Sequence, residues 1–187
     1  MLPYIISYVI IFITAFVVRK AKISESKRNM WIATISFLTL TILLGLRHPS
    51  MGVDLGYQSE IGYLASHKVI SNMSWKTVLE LRSFLNYEKG YVVFCKLIGC
   101  ISDDAQLFLF VCSAASFFSI FHIIEKYSPN PTLSVYIYMG VPVFLAHFSA
   151  LRQILAISLC VYSIKFIENK KPIKFIVTVL IASLFHL

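Results

Sequence analysis

Charge is what this sequence has least of. Asp, Glu, Lys and Arg make up 14% of its 187 residues, where soluble domains carry roughly 25%. Hydrophobic residues reach 58% and the mean hydropathy is +0.76. These values exclude a soluble globular domain and a disordered chain, and they predict an integral membrane protein. Cysteine is sparse too. Cys95, Cys100, Cys112 and Cys160 all lie in apolar segments, which excludes a disulfide scaffold and suits packing. Cys95 and Cys100 are five apart, a spacing that fits neither a CxxC redox pair nor one helix face. No His/Cys/Asp cluster has metal-ligand spacing, and there is no DxD-like carboxylate pair. No metal, cofactor or nucleotide-sugar site is expected. No internal repeat or low-complexity tract is present. No Lys or Arg precedes the first apolar run, so a cleaved signal peptide is not expected.

Six hydrophobic segments are present, at about 2–18, 30–46, 105–124, 132–150, 152–167 and 174–187. The first four contain no Asp, Glu, Lys or Arg, as a bilayer interior demands. A spanning helix takes about 20 apolar residues. The pattern predicts an all-α, polytopic bundle of about six spans in a single membrane domain, 1–187. The last segment is short for a span, and the chain reads as the N-terminal part of a longer protein.

The net charge of +8 is unevenly spread. Stretch 19–28 has five Lys or Arg and one Glu, and stretch 165–174 has four Lys and one Glu. Segment 47–104 is neutral, with six basic and six acidic residues. If six spans alternate, the two basic loops share one side, and the positive-inside rule makes that side cytoplasmic. The charge is then an orientation signal, and no nucleic-acid partner is needed.

Segment 47–104 falls on the other side as an external region, too long for a simple turn. Its stretch 74–85 places Trp75, Val78, Leu79, Leu81, Phe84 and Leu85 roughly on one helical face. Tyr91–Ile101 is apolar but interrupted by Lys96 and Gly99. Both read as helices lying in or dipping into the interface, with 88–102 a candidate re-entrant span. The same topology gathers Arg47, Asp54, Glu88, Arg152, Gln153 and His186 at one membrane face. Ordinary readings compete with this one: snorkelling for Arg47, a turn or N-cap for Asp54, helix capping for Glu88, and a packed histidine for His186. His122 and His147 read as structural or interfacial. Tyr57, Tyr63, Tyr87 and Tyr91 suit either an interfacial belt or stacking on sugar rings.

Four motifs stand in order: GLRHPSMGVDLGY (45–57), EKGYVVFCKLI (88–98), SALRQILAISL (149–159) and SLFHL (183–187). Together they resemble the EpsG-type, Wzy-like polysaccharide polymerases. That family has an LR…GxD…Y run, an acidic-Gly-aromatic run, an RQ…A helix start and an FH near the end of a later span. Two positions depart from the pattern. Val53 stands where the family usually has Thr, and Tyr57 falls three residues after Asp54 rather than four.

The resemblance implies a GT-C-like helical bundle in the bacterial cytoplasmic membrane, with no cofactor. It implies a substrate as well: oligosaccharide repeat units carried on polyprenyl pyrophosphate, joined into exopolysaccharide, capsule or O-antigen at the outer face. A chain-length regulator and a flippase of the same pathway would be its partners, beside the bilayer itself. The hydroxyl of one unit attacks the anomeric carbon of another, and lipid pyrophosphate leaves. Arg152 and Arg47 suit the leaving diphosphate because guanidinium binds phosphate oxygens bidentately and stays charged. Gln153 adds a neutral donor. Asp54, Glu88 and His186 are the candidate bases, with Asp54 and His186 favoured. Tyr57 and Glu88 join the expected substrate contacts. A glycan ligase differs only in the acceptor. A transporter is expected to place polar groups near the midplane, which the first four segments do not. A non-catalytic scaffold is expected to tolerate loss of Arg152.

Overall fold

The computed structural model describes residues 2–56, 60–80 and 86–187. It is all-helical: among the described residues there are ten α-helices and one short 3-10 turn. The long ones are α1 (Leu2–Lys20), α2 (Glu25–Gly45), α6 (Ala105–Tyr127) and α9 (Leu151–Glu168). The shorter ones are α3 (Tyr63–Asn72), α4 (Trp75–Glu80), α5 (Lys89–Gly99), α7 (Pro131–Gly140), α8 (Pro142–Leu145) and α10 (Pro172–Ser183). The start signals are local. Ser24, Asp104 and Asn130 cap α2, α6 and α7 by accepting from the backbone N–H three residues on, as short polar side chains do. α7, α8 and α10 each open with Pro, whose missing N–H costs nothing in a first turn.

All six apolar segments are helical, but their lengths differ from the sequence expectation. α1, α2 and α6 are long and apolar enough to cross a membrane. Residues 132–150 do not form one span. The helix stops at Gly140, Val141 adopts extended backbone, and Pro142 starts a second helix of four residues. The physical reason is Pro142 itself, which lacks a donor and disfavours helical backbone in the residue before it. α10 has 12 residues, or about 18 Å at 1.5 Å per residue. These features define an all-helical membrane protein.

α2 packs against α1 and α6, α6 against α9, and α9 against α10. α7 lies against α1, α2 and α6. One apolar core joins Ile11, Leu40, Leu44, Phe117, Phe121, Val135, Met139 and Phe144. The second gathers residues of the 47–104 segment. Leu55, Tyr63, Ile70, Val78, Tyr91, Cys95 and Ile98 pack with Phe108, Cys112, Leu151 and Leu155 of α6 and α9. This segment is therefore a small helical unit with its own core, clamped on the bundle. In α4, Val78 is fully buried while Trp75 and Leu79 stay largely exposed, so the expected apolar face is narrower than the sequence suggested. Leu81, Phe84 and Leu85 lie outside the described residues. Lys96, which interrupts the α5 pattern, is buried and donates to the Ser71 carbonyl at 2.8 Å.

The ends of the helices sort into two sets. At one end, Arg19 donates to Asn130 at 3.5 Å and Lys126 pairs with Glu168 at 3.1 Å. The end of α1, the junctions of α6 with α7 and α9 with α10, and both basic stretches therefore lie together. At the other end, the Gln106 amide donates to the carbonyls of Gly45 and Arg47. The Tyr91 N–H donates to the Leu184 carbonyl at 3.2 Å. This end carries the candidate site.

Candidate functional site

Arg152 is the second residue of α9, held there because its neighbours Leu151 and Leu155 are core residues. Its side chain is 17% exposed. Nη1 donates to Glu88 Oε2 and to the Asn86 carbonyl at 3.3 Å. The guanidinium carbon lies 4.7 Å from the Tyr87 ring centroid, within cation–π range. Nε is buried and has no hydrogen-bond partner among the described residues.

Glu88 occupies the N-cap position of α5 but makes no side-chain capping bond. Its carboxylate is directed at Arg152 instead, which corrects the capping expectation. Its other oxygen accepts from the Leu187 N–H at 3.3 Å and lies 3.8 Å from His186 Nδ1. That distance is too long for a hydrogen bond and becomes an ion pair when the imidazole is protonated. Burial pushes the Glu88 pKa up, but hydrogen bonds from its own backbone, Arg152 and Leu187 outweigh this and hold it below the usual carboxylate value. Three tyrosines line the base of the cluster. Tyr63 stacks on Tyr87 with centroids 5.5 Å apart, and Tyr91 meets both edge-on.

Gly90 makes the approach of α5 to α10 possible. A Cβ there would sit 2.7 Å from both the Leu184 carbonyl oxygen and Cβ. Any larger residue would push α10, with His186, away from Glu88. Gly52 does the same for the GVD turn. Its φ of +145° and the Phe148 carbonyl, 2.1 Å from an ideal Cβ, both require glycine. The Val53 N–H then donates to Ser149 Oγ at 3.2 Å, so the 3-10 turn Val53–Leu55 is tied to the segment just before Arg152.

Arg47 has a different environment. It is 5% exposed, and its guanidinium donates to the carbonyls of Leu44, Met51 and Phe148 at 2.9, 3.1 and 3.2 Å. Burial lowers its pKa to about 10, which leaves it cationic at neutral pH. It ties the end of α2 to the 148 segment. Asp54 and Gln153 are exposed. Tyr57 lies outside the described residues. The structure thus gathers Arg152, Glu88 and His186 in one cluster, with Asp54 on the turn that abuts Ser149.

Asn86 and Tyr87 are the partners of Arg152 that sequence reasoning missed or left open. The usable signal was their adjacency to Glu88 in NYEKGY. His147 has the structural role that the sequence suggested. It is buried, 3.0 Å from Ser116 Oγ, hydrogen-bonded to the Tyr138 hydroxyl, and stacked on Phe117 at 4.1 Å. It fixes the irregular chain between α8 and α9. Among the described residues no group of three or more His, Cys, Asp or Glu side chains is arranged to hold a metal ion.

The fold and this cluster define a helical membrane protein with a charged, aromatic-lined site at one end of its bundle. Residues 30–187 match the EpsG family, and the chain belongs to that family, whose members are related to polysaccharide biosynthesis. Comparison with curated proteins and with solved structures returns no match.

Proposed function

We propose that this protein polymerises lipid-linked oligosaccharide repeat units at the outer face of a bacterial cytoplasmic membrane. The observation that carries the reading is the Arg152–Glu88–His186 cluster beside Tyr87, at the end of the bundle opposite the basic stretches. Placing the basic end in the cytoplasm directs the cluster outward, where lipid-linked glycans are joined.

The chemistry follows from the groups present. The acceptor hydroxyl attacks the anomeric carbon of the donor, the bond to the lipid pyrophosphate breaks, and the hydroxyl proton passes to a base. Arg152 meets the charge that develops on the leaving diphosphate. Its side chain keeps 17% exposure, and fixed donors at a developing anion lower the barrier. Glu88 and Tyr87 set the direction of the guanidinium. His186 is suited to take the proton because Glu88 stands ready to stabilise the imidazolium that results. Asp54 is the second candidate base, and Gln153 and Tyr57 are candidate contacts to sugar or diphosphate. Arg47 has five N–H donors and spends three on carbonyls, leaving two. It borders an apolar groove of about 400 Å³ with Pro3, Tyr4, Leu43, Leu46 and Phe148, a surface suited to an isoprenoid chain.

The test uses the purified full-length protein in liposomes with polyprenyl-pyrophosphate-linked repeat units. The expected products are longer lipid-linked glycans and free polyprenyl pyrophosphate in matching amounts. Release of the lipid pyrophosphate only when a different acceptor is added would identify a ligase. Movement of the lipid-linked unit between leaflets with no bond formed would identify a transporter.

A further inference from the structure

A cavity of about 150 Å³ opens between α2 and α6. Phe37, Phe118 and Phe121 give it an apolar wall, and Thr34, His122 and Glu125 are its polar lining. These three polar side chains share one condition. Among the described residues, none of them makes a side-chain hydrogen bond or an ion pair. His122 meets rings instead, Phe118 at 6.3 Å and Tyr162 at 6.1 Å between centroids. Glu125 stands apart from the other helix-associated glutamates. Glu25, Glu80, Glu88 and Glu168 each meet a basic side chain. Glu125 is half-buried and meets none among the described residues, and its neighbour Lys126 is committed to Glu168 at 3.1 Å. A carboxylate partly withdrawn from water beside three phenylalanines costs free energy unless a cation joins it.

We propose that this cavity is a site for a primary ammonium group, such as the headgroup of phosphatidylethanolamine carries. An ammonium has three N–H donors. Glu125 accepts a charge-assisted bond and balances the charge. Thr34 Oγ1 and a ring nitrogen of His122 are the further acceptors, and an aromatic wall favours a cation. A choline headgroup has no N–H to offer these acceptors, and an anionic headgroup meets Glu125 with the wrong sign. The place fits a lipid. Trp31, 47% exposed, stands one turn before Thr34 on α2, and the exposed Lys126 follows Glu125 on α6. Trp and Lys at helix ends mark the headgroup level. Phe118 is 56% exposed, so the cavity wall continues onto the outer surface of α6. A free amine offers the same chemistry, so the experiment separates the two sources. This site is independent of the reading given to Arg152.

The purified full-length protein in detergent is titrated with phosphatidylethanolamine, phosphatidylcholine or phosphatidylglycerol of matched acyl chains. Retained lipid is measured by native mass spectrometry. Free ethanolamine is tested alone and as competitor. Wild type is expected to retain phosphatidylethanolamine about tenfold better than either other lipid. Glu125→Gln, which keeps the size and removes the charge, should abolish the preference. Thr34→Val, which keeps the side-chain shape, should weaken it severalfold. A thermal transition measured without lipid checks that each variant is folded. If Glu125→Gln does not fold, Thr34→Val decides by the same readout. Binding of free ethanolamine that the variants lose, with no lipid preference in wild type, supports the ammonium site and assigns it a soluble amine. Equal retention of the three lipids without ethanolamine binding, or a preference unchanged in the folded variants, overturns the proposal.

Discussion

Arg152 and Arg47 are both arginines at helix ends, yet the protein uses them differently. Arg47 spends three of its five donors on carbonyls, so its replacement is expected to loosen the joint between α2 and the 148 segment. Arg152 is held by one carboxylate, one carbonyl and an aromatic face, with part of its guanidinium uncommitted. Arg152→Lys keeps the charge but cannot keep the planar fork. It is expected to cut polymer synthesis about tenfold or more, at normal membrane levels, in a glycan assay on whole cells. Retention of full activity by the lysine variant would remove the bidentate role. Glu88 gives a second prediction. Its pKa is depressed in the folded protein, so its contribution to stability is present at neutral pH. That contribution is lost as pH falls through the folded-state value, below the ordinary 4.5. Thermal unfolding in detergent between neutral and acid pH should show wild type losing more of its transition temperature than Glu88→Gln. Equal acid sensitivity would place the stabilising carboxylate elsewhere.

At the scale of elements, the close seating of α5 against α10 rests on Gly90. Gly90→Val overfills a joint in which an added Cβ already meets the Leu184 backbone. The expected cost is about 1–3 kcal/mol, read as a lowered unfolding temperature, with activity reduced further because His186 moves with α10. A variant with wild-type stability and activity would show that the joint tolerates separation. Much of this level was legible beforehand. Apolar runs located α1, α2, α6 and α9 and the shorter α7, α8 and α10, and the basic loops marked where helices end. The cluster of Arg152, Glu88 and His186 was anticipated only as neighbours at one face. What escaped was pairing. Nothing in the spacing says that Glu88, at an N-cap position, turns its carboxylate toward α9. The break at Val141 was signalled by Pro142, but the hydropathy of 132–150 concealed it. The core of segment 47–104 was hidden because its helices are short and interleave polar with apolar buried residues, as His67 and Lys96 do among Leu64, Ile70, Val92 and Ile98.

For the whole molecule, the central geometric feature is polarity: basic stretches at one end, the ion-pair cluster at the other. Sidedness in the membrane follows from the positive-inside rule and is open to direct test. With the exposed Cys100 and Cys160 replaced by serine, Lys76→Cys should react with an impermeant thiol reagent in intact spheroplasts. Lys22→Cys should react only after permeabilisation. The reverse pattern would turn the cluster toward the cytoplasm and contradict a role on exported, lipid-linked glycans. The most direct measurement joins all three scales. Lipid-linked and surface glycans are compared on gels from cells carrying the wild-type full-length protein or Arg152→Ala, with membrane levels matched. The account predicts loss of long chains and accumulation of single repeat units in the variant. Normal long chains in the variant would contradict it.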